Sequence, residues 1–156
     1  MNEKMKLCME QENRFQFCSF SQNDAKDLGD MLYQTSLSHS GPVAIEITLN
    51  HLVIYRFFPD GTNRNNELWL RAKANTVEML GISSFHFAGQ LEDSGETQEE
   101  KRMPRDTYAA CGGGFPIRLK EGAVIGSICV SGLPDWEDHQ VIVETLEAYF
   151  QKKGWV

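Results

Sequence analysis

Two short runs of β-branched and aromatic residues, separated by only two positions, constrain the fold of this chain more than any other feature. The first run spans 43–49 and the second spans 52–58, with Asn50-His51 between them. This separation is typical of a β-hairpin with a tight turn, because a parallel crossover needs far more chain. We therefore predict an antiparallel pair in which Leu49 faces Leu52, with both faces at least partly covered.

The rest of the chain alternates between strand and helix patterns. We predict a strand over 15–20 and then a helix that is capped by Asn23 or Asp24 and stopped by Gly41-Pro42. Three further helices are predicted: one over 67–80, one from Ser83 through Phe87, and one that begins at Pro134 or Asp135. A second hairpin is predicted over 115–119 and 124–130. The acidic stretch 92–100 is expected to be a solvated loop. Because hairpins dominate, the pattern indicates an α+β fold on an antiparallel sheet. A length of 156 residues suits a single domain, 1–156, with 1–13 as a flexible or helical extension.

Charge and cysteine usage exclude several classes of function. The net charge is −7, from 22 acidic and 15 basic residues, and this acidity disfavours binding to nucleic acid or to an anionic membrane. The 4 cysteines are scattered without a Cys-x-x-Cys pair, which is typical of a reduced, cytoplasmic protein. No apolar run approaches the roughly 18 residues that a membrane span requires.

The run Gly112-Gly113-Gly114 resembles ordinary packing least of all. Three glycines lose much backbone entropy on folding, so we expect positive φ angles or close backbone contact there. One interpretation is a turn whose N–H groups face an anion or a carbonyl group. The other is a strand edge pressed against a helix or another subunit. A P-loop is excluded, because neither Gly-Lys-Ser nor Gly-Lys-Thr follows.

Lys73 places a cation on a mainly apolar helical face, which it shares with Trp69, Thr76 and Val77. Such a lysine can hold a carboxylate or, once desolvated, act as a base. A lysine in this setting more often packs its stem and extends the ammonium group to water. The sequence leaves these alternatives open.

His139 follows Asp138 and begins the apolar stripe of the last predicted helix. The helix dipole favours the neutral imidazole, with a nitrogen free to accept a proton or bind a metal, whereas Asp138 favours the charged ring. A satisfied structural histidine is the commoner case. Cys111 likewise has two interpretations, as a soft metal ligand or as an inert buried thiol.

The remaining histidines carry weaker signals. His86 lies between two phenylalanines, where it either ligates a haem iron or packs. His39 and His51, at a helix end and a hairpin turn, are expected to be solvated. Motifs for Ser-His-Asp hydrolysis, zinc peptidases and covalent haem attachment are absent, so these chemistries lack support.

The segment GGGFPIRLKEGAVIGSICVSGLPDWEDHQVIVETL resembles the haem-degrading-domain family. That family includes GlcG-like proteins, haem-binding HbpS-like proteins and the C-terminal module of PduO-type adenosyltransferases. The motifs Gly-Gly-x-Phe-Pro-Ile, Val-Ser-Gly-Leu and Asp-His resemble most closely an uncharacterised branch. The upstream pieces WLRAKANTVEMLGISS and 24–29 agree, so the resemblance covers 15–150.

This resemblance implies a profilin-like topology, with helices around a five-stranded antiparallel sheet, and assembly into dimers or larger rings. It also implies haem binding or breakdown in some relatives. The chain has Cys111 where the family commonly has a histidine, and Ala72-Lys73 where it commonly has an Arg-Lys pair. The first difference removes a histidine ligand for iron, and the second reduces the positive charge available to propionates.

We therefore expect a cytoplasmic, oligomeric protein that binds a small ligand, haem or another anionic molecule. The expected ligand-binding residues are Trp69, Lys73, Cys111, Gly112, Gly113, Gly114, Phe115, Asp138 and His139, and metal ligands stay open. The first alternative is an enzyme acting on a tetrapyrrole or a small oxidisable metabolite, with His139 as base or iron ligand and Cys111 as a second ligand. The second is an assembly module without a ligand, in which the glycines permit close subunit contact.

Overall fold

The computed structural model describes residues 1–156 and contains five helices and four strands. In chain order they are α1 (Glu3–Arg14), α2 (Gln22–Ser36), β1 (Ala44–Leu49), β2 (Leu52–Phe57), α3 (Arg64–Leu80), α4 (Ser84–Ser94), β3 (Gly114–Arg118), β4 (Val124–Ser131) and α5 (Asp135–Lys153). The strands form one antiparallel sheet in the order β2-β1-β4-β3. The predicted α+β class is confirmed.

The hairpin has the predicted pairing at its turn, and a bulge between Ile47 and Thr48 shifts the register by one residue farther along the strands. Leu49 pairs with Leu52, and the two turn residues Asn50 and His51 have φ angles of 49° and 68°. Positive φ at both turn positions matches the right-handed twist of the flanking strands. Strand β2 lies at one edge of the sheet, and β1 lies inside it because its other side pairs with β4.

The predicted strand over 15–20 is wrong, and the sheet has four strands rather than five. Only Phe17 reaches the sheet, through a single parallel bridge to Leu119. The physical reason is that Phe15 still forms the C-cap of α1 and Ser21 already caps α2, so the backbone between them bonds to the sheet only at Phe17. The alternation arises because phenylalanine rings of this segment enter the core.

Several helix boundaries differ from the predictions. Ser21 caps α2, and Asp24 occupies the third helical position and completes a capping box instead of serving as the N-cap. This helix ends at Ser36, before Gly41-Pro42. Helix α4 continues to Ser94, so the acidic stretch is only partly loop. The extension over 1–13 is largely helical, because α1 docks on α4.

The sheet packs between two helical layers. Helices α2 and α5 cover one face and enclose the main apolar core, which includes Ile45, Ile128 and Leu146. Helix α3 covers the other face, where buried Glu46 of β1 pairs with two arginines, Arg56 and Arg71. No helix in this fold is both long and apolar enough to cross a membrane.

Candidate ligand-binding site

An open cavity of about 360 Å³ lies where the first turns of α3 and α5 approach the end of β4. Its lining residues are Asn65, Asn66, Trp69, Lys73, Cys111, Ser131, Gly132, Leu133, Asp135 and Asp138. Four of them are among the residues predicted to bind a ligand: Trp69, Lys73, Cys111 and Asp138. These four come from α3, from the segment before β3 and from α5, so the tertiary fold assembles the cavity.

An ion pair between Lys73 and Asp138 lies at the wall of this cavity. The Lys73 ammonium donates to Asp138 Oδ2 at 3.1 Å and to the Val130 carbonyl oxygen at 2.8 Å. Each of the two side chains is only 3% exposed. The lysine therefore holds a carboxylate instead of extending to water, one of the alternatives that the sequence left open.

Backbone donors complete the environment of Asp138. Its carboxylate accepts from the N–H groups of Gly132 and Leu133, at 3.4 and 3.0 Å. Burial raises the pKa of Asp138 above its usual value, although the Lys73 ammonium and these N–H groups act to lower it. The carboxylate thus ties β4, α3 and the start of α5 together.

The three glycines leave room for the helices that surround the end of β3. Gly113 has a φ of 118°, and a Cβ there would lie 2.6 Å from Lys73 Nζ. A Cβ on Gly112 would collide with the backbone of Asp135, and one on Gly114 would lie 3.0 Å from Ser84 Oγ. Close packing therefore accounts for the bare backbone, and Gly114 N–H already donates to Ser84 Oγ at 2.9 Å.

Cys111 is placed by a contact on α3. The Thr76 hydroxyl lies 3.0 Å from both the carbonyl oxygen and the N–H nitrogen of Ala109, and it fixes the chain just before Cys111. Burial raises the pKa of the Cys111 thiol, and the neighbouring carboxylates act in the same direction, whereas Lys73 opposes them. The thiol is therefore protonated at neutral pH, which makes it a poor nucleophile.

His139 and Phe115 do not line this cavity. His139 is 2% exposed, and its Nε2–H donates to Gln11 Oε1 of α1 at 2.7 Å. The His139 ring stacks on Phe85 with centroids 4.7 Å apart, and its Nδ1 has no partner. Burial lowers the pKa of His139 to about 4. Phe115 belongs to the apolar core.

The cavity lies at the N-terminal ends of two helices. Asn63 and Asn66 form a capping box at the start of α3, whereas Pro134 precedes α5 and offers no side-chain cap. Unpaired N–H groups at such ends favour anions, but the carboxylate of Asp135 reduces this effect. Trp69, 45% exposed, adds an apolar wall.

Sequence reasoning missed several lining residues, chiefly Asn65, Asn66, Ser131 and Asp135. The available signal was the position of an asparagine-rich run and a Ser-Gly-Leu-Pro run just before two predicted helices.

The expectation that His39 is solvated was wrong. Its side chain is only 12% exposed, because two carboxylates of α5 hold it.

The other two histidines follow separate patterns. His51 is exposed, as expected for a hairpin turn. His86 is buried and hydrogen-bonds the Glu12 carboxylate at 3.0 Å. No group of three or more His, Cys, Asp or Glu side chains is arranged to hold a metal ion.

Together, one antiparallel sheet between helical layers and an open cavity at two helix N-termini define a small α+β domain. The chain belongs to the HbpS-like family, whose model is described as haem degrading protein HbpS-like and matches residues 20–147. This match confirms the resemblance found in the C-terminal motifs.

Curated relatives and solved structures agree with this assignment. A UPF0303 protein of Yersinia pestis (strain Pestoides F) is 34% identical over 94% of this chain and 86% of its own length. A UPF0303 protein of Streptomyces coelicolor is 36% identical over 90% and 89%. The crystal structure of Ybr137w protein has a TM-score of 0.88 at 27% identity and covers 98% of this chain and 91% of that one.

A more distant solved structure shows the same fold. The PduOC:Heme complex has a TM-score of 0.71 at 15% identity and covers 83% of this chain and 94% of that one. At this identity the similarity extends to the fold alone. The bound haem is a property of that protein.

Proposed function

We propose that this protein binds a small ligand in the cavity beside Lys73 and Asp138, and that it works in the cytoplasm as an oligomer. Haem or another small anionic molecule is the proposed ligand. The observation that carries the proposal is the buried Lys73–Asp138 pair beside an open, polar cavity with an aromatic wall. A buried charge is expensive to maintain, which favours a role beyond packing.

The cavity combines features that suit a small anionic group attached to a flat apolar part. The first turns of α3 and α5 supply partial positive charge, and the Asn65 amide adds a hydrogen-bond donor. The exposed ring of Trp69 offers a stacking surface for the apolar part. Haem has both parts, and the family description and the haem complex of a structural neighbour support it as the first ligand to test.

Binding is tested by titrating the purified protein with haemin and, separately, with succinate as a small dicarboxylate. A visible absorption band that survives gel filtration reports haem binding, and calorimetry reports succinate binding. Trp69→Ala should weaken binding about tenfold or more, since it removes one wall of the site. Trp136→Ala is the matched control, because Trp136 is exposed and lies off the cavity wall. Equal loss in both variants, or no binding at all, would contradict the proposed site.

Assembly is supported by apolar side chains that the single chain leaves exposed. Leu68 is more than half exposed, and edge strand β2 carries Leu52, which is also more than half exposed. Large apolar groups of this kind are frequent at subunit contacts. Light scattering should report a mass at least twice that of the 17.7 kDa chain, and a single species of 17.7 kDa at micromolar concentration would refute assembly.

A further inference from the structure

His39 is held between two carboxylates of α5. His39 Nδ1 lies 2.9 Å from Glu137 Oε2, and His39 Nε2 lies 2.9 Å from Glu144 Oε1. The next residue, Ser40, donates its N–H and its hydroxyl to the same Glu137 carboxylate. These contacts fasten the loop after α2, residues 37–43, to the first three turns of α5.

The geometry of this cluster selects the charged form of His39. An ionised carboxylate only accepts hydrogen bonds, so both ring nitrogens donate at the same time only in the imidazolium form. Burial acts to lower the pKa of His39, but the hydrogen bonds to Glu144 and Glu137 outweigh it and raise that pKa above the usual value. His39 also lines a second open cavity, of about 460 Å³, and Tyr33 and Asp60 are the other titratable groups in the wall of that second cavity.

The same loop forms part of the structure that supports the ligand cavity. Gly132, which lines the cavity, packs so closely on the Pro42 carbonyl oxygen that a Cβ there would collide with it. A Cβ on Gly41 would lie 3.6 Å from Leu133 Cδ2, and Leu133 also lines the cavity. On the α5 side, Glu137 directly precedes Asp138, whose carboxylate binds Lys73.

We propose that protonation of His39 regulates ligand binding, because it fastens the 37–43 loop against the α5 turn and the β4 end that build the cavity. This inference rests on the proposed function and names a control of the same site. When His39 loses its proton, one ring nitrogen presents a lone pair to a carboxylate, and that contact becomes repulsive. Glu144 is the partner expected to leave, since Glu137 keeps its two bonds to Ser40.

The pH range in which the loop is fastened follows from the direction in which folding shifts the pKa of His39. A histidine whose pKa is higher in the folded protein contributes stability that is fully present below its unfolded pKa, about 6.5. That contribution is lost as the pH rises through the folded pKa. The loop should therefore be fastened in mildly acidic solution and loosened in mildly alkaline solution, with ligand binding about fivefold weaker when it is loose.

The first test needs no ligand. Nuclear magnetic resonance should show His39 titrating above the value of a free histidine, and the amide protection of Ser40 and Leu133 should fall with the same midpoint. His39→Gln should remove the pH dependence of both amides, while His51→Gln, at an exposed histidine, should leave it unchanged. Glu144→Gln should move the His39 midpoint down. A His39 midpoint at or below about 6.5, or protection that does not follow it, would overturn the regulation.

The second test measures haemin and succinate affinity at about pH 6 and about pH 8 in the parent and both histidine variants. About fivefold weaker binding at the higher pH, absent in His39→Gln and kept in His51→Gln, supports the regulation. Equal affinity at both pH values overturns the regulation and leaves the proposed function standing. If neither probe binds at either pH, the proposed function fails, and the regulation of binding fails with it even where the loop titrates.

Discussion

Lys73 Nζ and Asp138 Oδ2 lie 3.1 Å apart, although 65 positions separate these residues in the sequence. The pair joins the middle of α3 to the first turn of α5, and the bond from Lys73 to the Val130 carbonyl oxygen adds β4. A buried ion pair becomes costly when one partner is removed, because the other charge is left without compensation. Both the cavity wall and the packing of three elements therefore depend on this contact.

Lys73→Met keeps the apolar stem and removes the charge, so it should leave Asp138 buried without its partner. We expect a loss of about 3 to 5 kcal/mol in the free energy of unfolding, measured by urea denaturation. Lys26→Met is the control, because Lys26 pairs with Asp30 on the surface and should cost about 1 kcal/mol or less. Combining Lys73→Met with Asp138→Leu should recover part of the loss, and a double variant less stable than Lys73→Met would contradict the ion-pair argument.

Gly113 is predicted to tolerate no side chain. Gly113→Ala combines a φ of 118° with a Cβ that would collide with the Val130 carbonyl oxygen and lie 2.6 Å from Lys73 Nζ. Gly95→Ala is a matched control, because Gly95 also has a positive φ, of 75°, but has open space around it. The control should lose roughly 1 kcal/mol from backbone strain, and Gly113→Ala should lose at least about 2 kcal/mol more. Similar melting curves for the two variants would show that close packing does not explain the glycine.

Cys111 should react slowly with iodoacetamide at neutral pH, since burial raises the pKa of its thiol and the thiolate is the reactive form. Cys18 is exposed and serves as the internal reference within the same molecule. Mass spectrometry of timed digests should show Cys111 alkylated at least about tenfold more slowly than Cys18. Faster modification of Cys111 would indicate a thiolate beside Lys73 and would revive the alternative of a reactive cysteine.

Local signals in the sequence predicted most of the elements but not how they meet. The Asn50-His51 turn and the cap at Ser83 are short-range features, so the sequence alone was enough to place them. The alternation over 15–20 misled, because Phe15 and Phe17 enter the core on either side of the partly exposed Gln16, as they would in a strand, although only Phe17 pairs with the sheet. An alternating pattern reports which side chains are buried, and it does not report whether the backbone pairs with a neighbouring strand.

The candidate site likewise contains some residues that the sequence marks and some contacts that only the fold shows. An apolar helical face marked Lys73 as unusual, and the motif before His139 drew attention to Asp138, yet only the fold shows which of the two neighbours meets the lysine. His39 carried no local signal, because its partners Glu137 and Glu144 lie about a hundred positions away and look like ordinary surface residues. Contacts between distant elements decide these cases.

His139 should make the protein less stable in acid by resisting protonation. Burial lowers its pKa to about 4, against about 6.5 in the unfolded chain, so the folded protein favours the neutral ring. A histidine whose pKa is lowered by folding contributes stability that is fully present above about pH 6.5. That contribution to the free energy of unfolding is lost as the pH falls toward 4, by up to roughly 3 kcal/mol. His139→Gln has no titrating ring, so the gap between parent and variant in the free energy of unfolding should narrow by that amount over the interval. Urea denaturation of both proteins at several pH values measures this gap, and the carboxylates common to both cancel in the difference. A gap that stays constant from neutral to acidic pH would mean that His139 takes up a proton as readily in the folded protein as in the unfolded chain, which would contradict its buried position beneath α1.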